Sequence, residues 1–448
     1  MLFNDFRAFM APYIHQPLSV AYSGGMDSHV LLHLLWRLRE QHPFMQIGAV
    51  HVHHGLSPNA DQWQSHCERV CQALGIALTS RRVKVLMKGR QSLEAQAREA
   101  RYQAIDEAVG TDTAVLLGQH QRDQLESFLL QLKRGAGPRG LSAMADSQRS
   151  GDRLYLRPLL QQPPSSLRQY AQEFALQWVE DESNLHTGFE RNFLRHEIVP
   201  LLEARWPHIG STVARSARLC AEQQTLLDEC TSGHLARLRQ KDGSLCLKGL
   251  VGFSLSWQRQ IVRLWLLDAG LPVPTEKQLE QIIRQAMQAR EDAAPSVKVA
   301  NWQVRRFQQR LYLTGSIVNT MPEELIWRGE KVFVLPDGRR LEFTPGYKGG
   351  ESNEILLNIA QEDSVAVCFA RLNDRFTPAG SRHSKPLKQW LKLWRVPPWQ
   401  RSQLPLIYLN HRLVAVLGLE GPELADTEGN KPGWLRIRLA GSGKTLPS

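Results

Sequence analysis

The chain has 448 residues, 42% of them hydrophobic and 22% charged, a soluble composition too long for one compact core, so two to four domains are expected. Its net charge of +11 implies a polyanionic partner, without separating RNA from DNA or an acidic membrane surface. No apolar run of about 20 residues exists to span a bilayer. The segment Met1–Tyr13 has no cleavable hydrophobic core, so no membrane association and a cytoplasmic location are expected. The six scattered cysteines form no disulfide framework and no C-x-x-C pair. Cys67 and Cys71, four apart near His51, His53, His54 and His66, read as small buried apolar residues, with a metal cluster the less favoured reading.

In chain order, Leu18–Tyr22 is a short apolar run that predicts a buried strand, and it breaks into Ser23-Gly24-Gly25-Met26-Asp27-Ser28. Val30, Leu31, Leu34, Leu35 and Leu38 then recur at helical spacing. A strand, a glycine turn and a helix N-terminus together make an anion cradle, because free N–H groups and the helix dipole both face outward. Residues 47–52 predict a second strand, ending in His53-His54-Gly55. A helix over 61–74, a strand over 76–83, a helix over 92–109 and a strand over 114–118 come next. This alternation predicts a doubly wound parallel sheet, with ligands at the carboxyl ends of its strands. Ser23–Ser28, His51–Gly55 and Gly118–Glu126 are therefore expected to meet in one crevice.

The third of these loops opens a helix carrying Asp123 and Glu126 on one face. The pair could hold Mg²⁺, meet an ammonium group, or simply complement the helix dipole. Gly135-Ala-Gly137-Pro-Arg-Gly140 matches G-x-G-x-x-G but lies after a helix and contains Pro138, so it is no dinucleotide site. Gly443-Lys444-Thr445 lacks the first glycine of a Walker motif and has no helix after it.

Residues 209–230 predict one long helix, leading into a mostly helical region to about Arg310. Arg259, Arg263, Arg284, Arg290, Arg305, Arg306 and Arg310 are interleaved there with Trp257, Trp265 and Trp302. That mixture suits either RNA binding or a solvated face over an aromatic core. Residues 316–360, with Pro336-Asp-Gly338, Pro345-Gly346 and Gly349-Gly350, read as turn-rich linker and hairpins. Between Arg371 and Arg401 stand eight cations (Arg371, Arg375, Arg382, Lys385, Lys388, Lys392, Arg395, Arg401) against the single acid Asp374. With Trp390, Trp394 and Trp399 among them, this is a nucleic-acid footprint.

The loop Ser23–Ser28 resembles the PP-loop of the N-type ATP pyrophosphatases. Further motifs occur in order: His51-Val-His-His-Gly55, Glu94-Ala-Gln-Ala-Arg98-x-x-Arg101-Tyr102, His120-x-x-Asp123-Gln-x-Glu126, Arg134-Gly-x-Gly, Arg157-Pro-Leu-Leu160, Asp181-Glu-Ser-Asn184 and Arg191-Asn-x-x-Arg195-His196. Together they resemble the tRNA(Ile)-lysidine synthetase family, and Lys385-Pro-Leu-Lys388 with Val396-Pro-Pro and Arg401 resembles the C-terminal domain of its long form. One departure is Arg122, which stands where the family carries an acid. The resemblance implies a PP-loop domain over residues 1–210, a helical tRNA-binding domain over 211–315, a linker over 316–360 and an α+β tRNA-binding domain over 361–448. It implies ATP and Mg²⁺ as cofactors and L-lysine and a CAU-anticodon isoleucine tRNA as substrates. The wobble cytidine would be adenylated, then attacked by lysine, releasing AMP and pyrophosphate. Ser23, Gly24, Gly25, Met26, Asp27, Ser28, His51, His53 and Gly55 would bind nucleotide, and Asp27 with Glu126 would hold Mg²⁺. Asp123 would orient the ammonium, and Arg98 or Arg195 would neutralise phosphate or carboxylate. A PP-loop thiolase or a glutamine-fed enzyme lacks its cysteines here, and a non-catalytic RNA-binding scaffold is the remaining alternative. The sequence leaves a homodimer open.

Overall fold

The computed structural model describes residues 1–53, 55, 57–83, 93–180, 182, 187–288, 295–315, 321–346, 354–419, 423–424 and 433–441. His54, Asp181, Ser183, Asn184, Arg290, Gly349-Gly350 and Gly443-Lys444-Thr445 lie outside the described residues. The chain divides into two compact units, residues 1–227 and 228–448.

The first unit opens with α1 (Leu2–Met10), β1 (Leu18–Ala21), α2 (Met26–Gln41), β2 (Ile47–His53), α3 (Ala60–Ala73) and β3 (Ala77–Arg82). It continues with α4 (Leu93–Ala108), β4 (Ala114–Leu116), α5 (Gln121–Lys133), α6 (Pro138–Leu141), β5 (Ser147–Ser150), β6 (Arg153–Leu156) and α7 (Pro164–Glu173). Then come α8 (Glu190–Phe193), a π-helical turn at Leu194–Ile198, α9 (Val199–Arg205) and α10 (Ile209–Leu238). The strands form one sheet in the order β3-β2-β1-β4-β6-β5. All neighbours are parallel except β5, which runs antiparallel to β6 at the edge.

The central strands β1 and β4 are buried on both faces, as their apolar runs require. On one side Leu18 and Val20 pack against Leu31, Leu34, Leu35 and Leu38 of α2, with Leu167 and Tyr170 of α7. On the other, Ala21, Val50, Val115 and Leu117 meet Ile105 of α4. Each such fully buried leucine contributes about 1.5–3 kcal/mol. The helix α4 is stopped by an arginine. Arg153, buried on β6, donates to the carbonyls of Asp106, Val109 and Thr113 and to the Asp106 carboxylate at 3.0–3.1 Å. That satisfies carbonyls the helix end leaves open.

The second unit departs from the sequence reading in two ways. The region expected to be helical holds Leu255–Asp268 and Glu276–Gln288, but also a four-stranded antiparallel sheet of Leu245–Cys246, Arg310–Gly315, Trp302–Phe307 and Ser296–Val299. Its core gathers round the buried Trp265. Alternation at Trp302–Phe307 (Val304 and Arg306 buried, their neighbours half-buried) is the period-2 signal that the arginines obscured. The stretch 316–360, expected as linker, contributes strands to two sheets. Glu324–Ile326 pairs with Val365–Cys368, while Arg340–Pro345 and Glu354–Ile359 flank Gly433–Ala440 on either side. These strands share one core with Ile407 and Val414, so the stretch is structural. Pro336-Asp-Gly338 is the turn of a hairpin, with Gly338 at φ +84°. The helix Leu387–Leu393 covers a second small core.

Candidate active site

The turn after β1 places Ser23, Gly25, Met26, Asp27 and Ser28 on a cleft of about 770 Å³ at the carboxyl end of the sheet. Gly24 takes φ +86°, and a Cβ there would lie 2.9 Å from Val179 and 3.0 Å from the Cys67 sulfur. Only glycine fits. Gly25 is the N-cap of α2 and supplies no side-chain cap, so the first-turn N–H groups of Met26, Asp27 and Ser28 have no partner within the helix. The Ser28 hydroxyl accepts from Ser23 N–H at 3.2 Å and donates to Gly25 O at 3.0 Å, which braces the loop. From the opposite side Val179 N–H donates to Gly24 O at 3.0 Å.

Gly118, just past β4, lies directly beneath this turn. A Cβ at Gly118 would stand 3.1 Å from the backbone of Asp27 and Ser28. The sequence marks it only as a strand end. No spacing pattern announces such a contact between strands distant in sequence.

At the start of α5, His120 and Asp123 cap each other. His120 Nδ1 accepts from Arg122 N–H at 3.2 Å, and Asp123 Oδ2 accepts from His120 N–H at 3.0 Å. The other ring nitrogen, Nε2, stands 3.5 Å from Asp27 Oδ2 and 3.6 Å from Asp123 Oδ2. Burial pulls the His120 pKa down, but Asp123 and Asp27 outweigh it and hold it above the ordinary value. The cap needs Nδ1 free to accept, so in the neutral ring the proton sits on Nε2, toward Asp27 and Asp123. Burial likewise pushes the Asp123 carboxyl up, and His120, Arg191 and Arg195 together bring it below the usual range.

Glu126 is fully buried and differs from expectation. Its carboxylate accepts from Arg191 Nε at 2.8 Å and from Arg195 Nε and Nη2 at 2.7 and 2.9 Å. Arg195 Nη2 also reaches Asp123 Oδ1 at 2.9 Å. Both Glu126 oxygens thus accept from guanidinium groups, where the sequence reading expected a metal ion. Asp27 differs in kind: its Oδ1 is buried at the cleft without a hydrogen-bond partner. A cation is the partner such an oxygen lacks. Among the described residues no group of three or more His, Cys, Asp or Glu side chains is placed to hold a metal ion. A metal on Asp27 would therefore complete its shell with phosphate oxygens and water, the usual habit of Mg²⁺.

The cleft wall carries Arg98, Arg101, Arg168, Arg191 and Arg195 against the acids Asp27, Glu180 and Glu182, with Trp63, Tyr102 and Trp178 between them. Arg98 lies over the Tyr102 ring, 5.1 Å from its centre, and donates to its hydroxyl. Arg168, Trp63 and Trp178 were not legible in the sequence, since each stands alone in an amphipathic helix or loop. Arg157 is a strut: buried, it donates to Gln119 Oε1 at 2.6 Å and holds that side chain at the cleft.

The described residues at the end of β2 and just after it make contacts of their own. His51 is buried, with Nδ1 at 3.0 Å from Tyr22 O and 3.5 Å from the Cys67 sulfur. His53 faces Asp61 at 3.2 Å. Neither His51, His53 nor Gly55 is among the residues lining the cleft. The loops after β1 and β4 meet there with the segment Trp178–Glu180. Cys67 and Cys71 are buried apolar packing, and burial pushes both thiols up to about 12.

A family model of the PP-loop domain matches residues 2–202, one of the TilS substrate binding domain matches 245–312, and one of the TilS substrate C-terminal domain matches 365–439. A tRNA(Ile)-lysidine synthase of Serratia proteamaculans is 41% identical over 428 residues, covering 95% of this chain and 96% of the relative. The chain belongs to the tRNA(Ile)-lysidine synthase family. Proteins of that name from Edwardsiella ictaluri (43% identity; 90% of each chain) and Coxiella burnetii (37%; 93% of this chain and 91% of the relative) agree. Family membership and the PP-loop domain make the chain an ATP-using ligase. The alternative of a non-catalytic scaffold is not favoured, since all three domains are matched and the relatives align over nearly the whole chain.

In the second unit the expected RNA face is partly internal. Arg306 is buried, Arg259 pairs with Glu280 at 2.8 Å, and Arg310 pairs with Asp242 at 3.5 Å. The cations of the last stretch are different: Arg371, Arg375, Arg382, Lys388, Lys392 and Arg395 are exposed. Trp390 and Trp394 stack at 5.9 Å beneath them, with Lys385 over Trp390. Among the described residues no helix is long and apolar enough to cross a membrane.

Proposed function

We propose that this chain ligates L-lysine to C2 of the wobble cytidine of a CAU-anticodon isoleucine tRNA, consuming ATP and releasing AMP and pyrophosphate. The cytidine O2 attacks the α-phosphorus of ATP and pyrophosphate leaves. The lysine ε-amine, having lost its ammonium proton, then adds to C2, and the C2–O2 bond breaks as AMP departs. The observation that carries this reading is the open first turn of α2, whose unpartnered N–H groups face a cleft walled by five arginines. Met26, Asp27 and Ser28 N–H groups would receive the departing pyrophosphate, stabilising charge as it develops. Asp27 Oδ1 would hold Mg²⁺, which supplies neutralisation of phosphate charge. Asp123 keeps unused lone pairs beside its two hydrogen bonds and would orient the lysine ammonium. Arg98, Arg101 and Arg168 would meet phosphate or base. The exposed cations between Arg371 and Arg395 would take tRNA backbone.

The test is incorporation of radiolabelled lysine into CAU-anticodon isoleucine tRNA, with a methionine tRNA as control. Label confined to the isoleucine tRNA is expected. Absence of label while tRNA still binds would refute the substrate assignment.

A further inference from the structure

The segment 190–205 runs antiparallel to α5 and meets it through six ion pairs. At one end Lys133 pairs with Glu190. In the middle Glu126 and Asp123 take Arg191 and Arg195. At the far end Arg122 donates through Nε and Nη2 to Glu203, at 3.3 and 2.5 Å. Along α5 the charges run plus, minus, minus, plus, and the facing segment carries the complement. Arg122 and Glu203 each sit where helix electrostatics disfavours them. Arg122 is in the first turn of α5 and Glu203 is in the last turn of α9. Neither residue serves its own helix, and the two face each other.

Between the contacts lies the π-helical turn Leu194–Ile198. A π turn holds one residue more than an α turn, so its relaxation would rotate α9 by about 100°. Arg191 precedes this turn, Arg195 is inside it and Glu203 lies beyond it. Only a contact on the far side can fix the turn from both ends.

We propose that Arg122 and Glu203 form a positioning pair that sets the register of residues 190–205 on α5, keeping Arg195 on Asp123 and Glu126. This rests on the reading that Arg195 serves the reaction. Arg122 thus takes a new partner in place of the role the family's acid would have, and an acid at this position would face Glu203 with like charge.

The experiment compares Arg122→Asp, Glu203→Arg and the double variant, with Arg122→Gln and Glu203→Gln as milder forms, in lysine ligation to isoleucine tRNA. Thermal midpoints are measured alongside. Each single reversal is expected to lower kcat/KM for lysine at least about tenfold, roughly 1.4 kcal/mol. The double variant is expected to return to within about threefold of the parent, because the pair is restored with its polarity exchanged. The Gln variants should show a smaller loss in the same direction with midpoints near the parent's. Parent-like kinetics in the single and Gln variants, or a double variant as impaired as the singles, would overturn the proposal. Arg195→Ala separates the two readings. If it is inactive while the pair variants are normal, only the pair fails; if it is fully active, the catalytic reading of Arg195 falls and the proposal with it.

Discussion

Replacing Glu126 with glutamine tests whether this carboxylate anchors arginines or holds a metal. The side chain is fully buried and accepts three hydrogen bonds from two guanidinium groups. Glutamine keeps the shape and one oxygen, but turns an N–H₂ toward a guanidinium, so at least one charge-assisted bond is lost and a donor meets a donor. A hydrogen bond to a charged group contributes about 1.5–3 kcal/mol, and breaking a buried ion pair costs about 3–5. Arg191 and Arg195 retain 20% and 29% exposure and recover some hydration, which points to the low end, about 3 kcal/mol. For a unit of this size that is a fall of about 6–12 °C in melting temperature. Thermal unfolding by tryptophan fluorescence would measure it, beside Mg²⁺ titration of pyrophosphate release. A variant that melts like the parent but needs more Mg²⁺ would refute the reasoning and return Glu126 to the metal.

Gly118→Ala should raise the KM for ATP about tenfold with tRNA affinity unchanged, since the new Cβ would press on the Asp27–Ser28 backbone; an unaltered KM would show that the turn yields freely. Burial holds His29 and His33 at about 4, from an ordinary 6.5. Between those values the unfolded chain takes up protons that the folded chain refuses, so stability is full above pH 6.5 and falls as the pH drops toward 4. His33→Gln, which keeps a partner for the Tyr170 hydroxyl, should flatten that slope in urea titrations, and an unchanged slope would exclude His33 as a source. Trp399 lies against Phe307 and Tyr312, with Arg305 at 5.3 Å from its ring centre. Trp399→Ala should cost about 2–4 kcal/mol and separate the second unit's melting into two transitions by calorimetry; one unshifted transition would count against it.

The first unit was legible because its signals are local. Leu18–Tyr22 is apolar throughout, α2 repeats leucine at helical spacing, and Gly24-Gly25 has one sensible use between them. Asp123 and Glu126 were found for the same reason, three apart in a helix. Their partners were harder: nothing in the spacing of Glu126 says that Arg191 and Arg195 will occupy both oxygens 65 and 69 residues later. His51 braces the Tyr22 carbonyl, a contact between neighbouring strands that its position in the sequence does not announce. The strands of 316–360 were hidden by their turns, since glycine and proline mark hairpins and linkers alike. Their pairing with Gly433–Ala440, about 80 residues away, is a tertiary fact.

The parallel sheet ends in two different borders. On one side β5 turns back on β6, wholly exposed, with Arg149 at its centre; on the other, β3 finishes in Arg81 and Arg82. Among the described residues neither border carries a further strand, and the exposed Arg149 and Arg81 set like charge against the same border of a second copy, while Arg82 pairs with Asp61. Self-association by stitching sheets together is thereby discouraged, and any twofold assembly of this chain is steered to helical or loop surfaces. The parallel sheet is thereby kept from growing across its own borders.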